Sequence, residues 1–181
     1  MAGVLLAASL VAGCSSESQV PSDPTSGPDD VQEKPDGVNE PISLPDACAL
    51  VEDPEPGLLG NGTLVVADQS KTDYSVSCEK RTELGGSGIS SLTVRVSAIP
   101  SMGTGETVHT DILEQVKSGE CDRIPDVQEI ACLKAGKFSN LLRVGRGAYQ
   151  ADIIFHFTGA GEEKSRRFAE RTATQVAQKL A

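Results

Sequence analysis

Five cysteines set the terms for any fold of this chain: Cys14, Cys48, Cys78, Cys121 and Cys132. Four of them fall in residues 44–181, a length usual for one domain with its own core. Cys14 stands apart, beyond a polar segment. Four cysteines allow three disulfide connectivities. Pairing of near neighbours, Cys48–Cys78 and Cys121–Cys132, suits the layout: one bridge ties an N-terminal turn to a strand, and the other closes a local loop. A structural zinc site is the competing use of four cysteines. These sit singly, with no C-x-x-C pair, so no metal is expected.

The segment 15–43 is rich in Ser, Pro, Asp, Glu and Gly and nearly free of large apolar residues. Such a composition cannot bury enough surface to offset its ordering entropy, so an extended linker is expected. Its coil dimension is roughly 30 Å, and its stretched limit is about 100 Å. It holds seven acids (Glu17, Asp23, Asp29, Asp30, Glu33, Asp36, Glu40) and one base, Lys34, a balance of −6. Of the chain's −10 this leaves −4 for residues 44–181. A domain of that charge has no basic stripe to neutralise phosphates, so no nucleic-acid partner is expected.

Ahead of the linker, residues 4–12 form a short apolar run ending in Val11-Ala12-Gly13-Cys14. A permanent membrane helix needs about 20 apolar residues, whereas this run has the length of a signal-peptide core. Val11, Ala12, Gly13 and Cys14 resemble the bacterial lipobox: aliphatic, small, Gly or Ala, then Cys. The resemblance implies diacylglycerol in thioether linkage to Cys14, cleavage before it, and an anchor on the outer face of the cell membrane. It also accounts for the odd cysteine. No Lys or Arg precedes the run: either the translation start lies further upstream, which is the favoured reading, or export relies on hydrophobicity alone. The organisation expected is a signal peptide (1–13), a lipidated cysteine with linker (14–43) and one secreted domain (44–181). Read instead as a buried helix, the apolar run would be stranded from any core by the linker.

Within the domain, Asp46 is placed to cap a short helix before Pro54 and Pro56. Strands are expected at 63–67, 73–81 and 89–99. In the third, Leu92, Val94 and Val96 alternate with polar residues, the mark of one buried and one wet face. In the second, Tyr74, Val76 and Cys78 share a face by the same period. Val108, Ile112, Leu113 and Val116 make one stripe of a helix over 107–117, closed by Gly119. Residues 121–132 read as a loop closed by its cysteines. Two strands, 138–146 and 148–158, flank Gly147. Phe168, Thr172, Val176 and Leu180 recur every four residues in a last helix from Glu162. The expected fold is α+β: an antiparallel sheet of about five strands, with a long C-terminal helix and one or two shorter helices packed on it.

The opening Asp46-Ala47-Cys48-Ala49-Leu50-Val51, the later Cys78 and the closing amphipathic helix resemble a family of actinobacterial lipoproteins of unknown function (the domain-of-unknown-function family numbered 3558). The chain departs from that family's pattern at Lys80, where an aromatic is usual, and at Pro54 and Pro56, where a helix usually continues. The resemblance implies a membrane-anchored domain and carries over no catalytic residue.

No chemical motif stands out. G-x-S-x-G, Walker A, G-x-G-x-x-G in a strand-to-helix context and H-E-x-x-H are all absent. No cofactor and no catalytic residue is expected. Arg166, Arg167 and Arg171 form a basic run, read as an exposed face paired to Glu162, Glu163 and Glu170. The function expected is binding of an envelope protein or component without catalysis. Two alternatives accompany it. One is a carrier of a small apolar or lipid ligand in a sheet–helix pocket lined by Leu92, Val94, Val96 and Phe155. The other is a hydrolase using His109 or His156.

Overall fold

Alternation of large apolar and small polar residues decides the architecture. The computed structural model describes residues 43–55, 57–60, 62–82, 88–98 and 109–180. Cys14, the apolar run and the linker as far as residue 42 lie outside the described residues. In chain order the elements are α1 (Ala47–Leu50), β1 (Leu64–Lys71), β2 (Ser75–Thr82), β3 (Ser91–Ala98), α2 (His109–Ser118), β4 (Asp122–Arg123), β5 (Ile130–Lys134), β6 (Asn140–Arg146), β7 (Tyr149–His156) and α3 (Glu162–Lys179). The strands form one antiparallel sheet in the order β1-β2-β3-β7-β6-β5-β4. The fold is α+β, as the periodicities indicate.

Two meanders meet at the centre of this sheet. β1-β2-β3 is one and β4-β5-β6-β7 is the other, and β3 pairs with β7 to join them. The register places Leu92 beside Phe155, Val94 beside Ile153 and Val96 beside Ala151. All six are essentially inaccessible to solvent. Slipping either strand by one residue would turn this row to water, so the pairing is strongly specified. Polar stitching adds to it at one end of the sheet. The Thr158 amide donates to Ser90 Oγ at 3.0 Å, and the Ser90 amide donates to Thr82 Oγ1 at 3.0 Å.

α3 covers the buried face. Phe168, Ala169, Thr172, Ala173, Val176 and Ala177 are its buried side chains. The alanines let the helix approach the sheet closely, and Phe168 supplies the bulk. α1 lies on the same face, against β2 and β3. The Asp46 carboxylate accepts from the Cys48 amide at 2.8 Å and caps it, as the sequence predicts. The Pro54 region follows directly, and Asp53 there pairs with Lys80 Nζ at 2.9 Å. The Lys80 side chain is mostly covered, and its ammonium reaches the exposed Asp53 carboxylate.

Several expectations need correction. The sheet has seven strands rather than about five, because residues 121–132 are not a simple loop. Ile130-Ala131-Cys132-Leu133 is a continuous buried run forming most of β5, and β4 pairs with it. Such a run shows no alternation, because both of its faces are covered. Ala131 and Leu133 join the main core, whereas Ile130 and Cys132 pack with Ile112, Val116 and Cys121 in a second cluster beneath α2. α2 therefore lies on the sheet face opposite α3. Its apolar stripe is narrower than expected: Ile112 is fully buried, Leu113 is more than a third exposed, and Val108 lies outside the described residues. Tyr74 is exposed rather than part of the buried face, because β2 begins one residue later, at Ser75. β1 is longer than expected and is mostly exposed, as an edge strand beyond the helix layer can be.

The β6–β7 connection is a two-residue hairpin in which Arg146 pairs with Tyr149. Gly147 takes φ +54°, a conformation open to glycine at the first corner of such a turn. The Gly147 amide donates to Glu129 Oε2 at 2.7 Å, which ties this turn to the β4–β5 loop.

Candidate binding cleft

The β5–β6 connection, residues 135–139, arches over the start of α3. Gly136 permits the arch: a Cβ there would lie 2.3 Å from the Ser139 carbonyl oxygen, closer than any side chain could stand. The tip carries Lys137 and Phe138, with Nζ 5.3 Å from the ring centroid. Phe138 is 75% exposed, the most of the large apolar side chains among the described residues. The chain's other three Phe are buried together, so this one is conspicuous. A strand over 138–146 would begin at Phe138, whereas β6 begins two residues later, and Gly136 is the local sign of a turn.

Beneath the arch is an open cleft of about 480 Å³. Its floor includes Leu133 of β5 and Phe157, which follows β7. Its polar rim includes Asp122, His156, Glu162 and Arg166. The size falls within the usual range for small-ligand sites, and the mixed lining gives both an apolar surface and orienting charges. Arg166 is also held by Glu170, at 3.2 Å one helical turn on. That surface pair contributes only about 0.3–0.5 kcal/mol, so it leaves the guanidinium free to be recruited.

Among the described residues, no nucleophile is hydrogen-bonded to His156. His156 projects from the outward face of β7, where Ala151, Ile153 and Phe155 point inward. Ser139 and Ser165 border the same cleft, yet His156 makes no hydrogen bond to either among the described residues. His109 opens α2, a different element. Among the described residues, no group of three His, Cys, Asp or Glu side chains is placed to hold a metal ion.

Cys48 is bonded to Cys78, linking α1 to β2, and Cys121 to Cys132, linking the end of α2 to β5. Both bridges hold the frame. The second lies in the small cluster under α2, close in sequence to Asp122 of the cleft rim. Leu92, Val94, Val96 and Phe155, the residues expected to line a carrier pocket, are 0–2% exposed. Their side chains pack against neighbouring atoms, and the interior they form is closed to solvent.

The basic run on α3 is resolved into separate pairs. Arg166 pairs with Glu170, and Arg167 lies 3.8 Å from Glu163. Arg171 differs from the expectation: its partner is Glu55, far away in sequence. No family model, no curated protein and no solved structure matches the chain.

Proposed function

We propose that this chain is a lipoprotein anchored through Cys14 at the extracytoplasmic face of the cell membrane, and that its domain binds an envelope component without catalysis. The lipobox residues Val11, Ala12, Gly13 and Cys14 and the acidic segment that follows support the address. Two acyl chains on one cysteine hold a protein at a membrane firmly, where a single chain would not.

Phe138 is the observation that carries the binding reading. An aromatic ring on the lip of a cleft, with a cation beside it and charges across from it, has the composition of an interface anchor. The filled interior around Leu92 and Phe155 favours a partner taken at the surface over an apolar ligand carried within. A hydrolase would need His109 or His156 beside a nucleophile, and among the described residues no such pair at His156 supports that reading.

The test uses the full chain in its native membrane. A photo-crosslinking residue at position 138 is compared with one at Val66, which is also exposed but lies on the sheet edge. A discrete adduct from position 138 alone, suppressed by adding purified wild-type domain, is the expected result. Equal adducts from both positions would refute the cleft as the binding surface. Mass spectrometry of the same material reads the anchor separately, since an unmodified Cys14 would refute lipidation.

A further inference from the structure

A second groove lies on the other flank of α3, between that helix and the turn at Glu55, Gly57 and Leu58. Lys164, Arg167 and Arg171 face it, at spacings of three and four residues that put them on one stripe. Phe168, buried, forms the floor between them. The groove is about 300 Å³. Three cations and one carboxylate therefore line a small concavity on a chain whose net charge is −10.

The cations are incompletely used. Glu55 accepts from Arg171 Nη1 and fixes that side chain against the turn. Arg171 Nε is inaccessible to solvent, so the donors that stand open to the groove are those of Arg167 and Lys164, both exposed. Glu163 is 3.8 Å from Arg167, beyond hydrogen-bond reach, and both side chains are well exposed. Lys164 makes no ion pair among the described residues. A guanidinium fork with open donors matches the tetrahedral oxygens of a phosphate, and a neighbouring ammonium adds a point charge.

We propose that this groove binds a phosphate-bearing anion, held by Lys164 and Arg167 with Arg171 oriented by Glu55. The site is small and closed by the turn at one side, so it takes a single phosphoryl group rather than a polyanion. It is separate from the cleft under Phe138, and the proposal does not depend on that cleft or on the anchor.

The test uses the full chain without lipidation and inorganic phosphate as probe, at low ionic strength, followed by amide NMR shifts. Saturable shifts centred on 164–171 and the turn at 55–58 are expected. In the Lys164→Ala/Arg167→Ala variant the affinity falls about tenfold, with the melting temperature unchanged because both side chains are exposed. Absence of saturation, shifts centred elsewhere, or undiminished affinity in a variant that melts like wild type overturns the proposal. Vesicles then distinguish the source. Sedimentation with phosphatidylglycerol-containing vesicles but not with pure phosphatidylcholine, lost in the variant, assigns a lipid headgroup. Phosphate binding without such sedimentation assigns a free phosphoryl compound. Vesicle binding without a phosphate shift also counts against the site.

Discussion

The ring of Phe168 on α3 stands edge-on to that of Phe155 on β7, with centroids 5.0 Å apart and planes at 65°. Phe157 completes a triad at 4.9 Å from Phe168. With no Trp in the chain, this is the largest block of aromatic surface in the core. Replacing Phe168 by Ala is expected to cost about 3–5 kcal/mol, a large part of a typical domain's stability. Urea unfolding should show a lower midpoint at unchanged slope. A loss below about 1 kcal/mol would mean that α3 is not held by this contact.

The disulfides act on the unfolded chain. Cys48 and Cys78 are 30 residues apart, and Cys121 and Cys132 are 11 apart. By loop-closure entropy, Cys48→Ser/Cys78→Ser should lower stability by about 3–4 kcal/mol and Cys121→Ser/Cys132→Ser by about 3 kcal/mol. Thiol labelling of denatured, unreduced protein should find none of these four reactive. Labelling of any of them would show that its bridge is open in solution.

Arg146 holds the last turn of α3. Its Nη1 donates to the Ala177 carbonyl oxygen and to Gln128 Oε1, both at 2.5 Å. Arg146→Met keeps the stem and removes both bonds, leaving a helix-end carbonyl without this donor. A loss of about 1.5–3 kcal/mol is expected, with faster amide exchange at the C-terminal turn of α3 than elsewhere in the helix. Exchange that accelerates uniformly would indicate a global effect instead.

Phe138 separates binding from stability. Phe138→Ala should change stability by less than about 0.5 kcal/mol, because the ring is already in water. Binding to the envelope target should fall sharply. Gly136→Ala serves as the complement: its Cβ must displace the Ser139 backbone, so the arch moves and binding drops although Phe138 is retained. Full binding by both variants would exclude the arch from the interface.

Much of the frame was legible in local patterns. Val94 and Ile153 face inward because their strands alternate. Phe168 and Val176 do so because their helix repeats every four residues, and Asp46 caps because its carboxylate reaches the Cys48 amide two residues on. Each of these depends on neighbours within a few positions. β5 was not legible, since Ile130 to Leu133 carries no period when α2 covers one face and the core the other. Phe138 reads as strand for a different reason: it is apolar and adjoins β-forming sequence, and only Gly136, two residues earlier, marks the turn that exposes it.

By itself the sequence determined the segregation of the chain: an apolar run ending at Cys14, an acidic polar segment, and a cysteine-bearing domain with one wet and one buried face on its principal elements. Composition and short-range periodicity suffice for that, because burial of a face is a property of a single strand or helix. Only the tertiary structure decided that β3 lies beside β7, that Ser90 meets Thr158 across 68 residues, and that Arg171 is held by Glu55. These follow from how two meanders close on one another under α3. The groove beside Phe168 joins residues 55–58 to α3 across more than a hundred positions, and the cleft under Phe138 forms where the β5–β6 connection meets the end of β7 and the start of α3, so neither is visible in a local pattern.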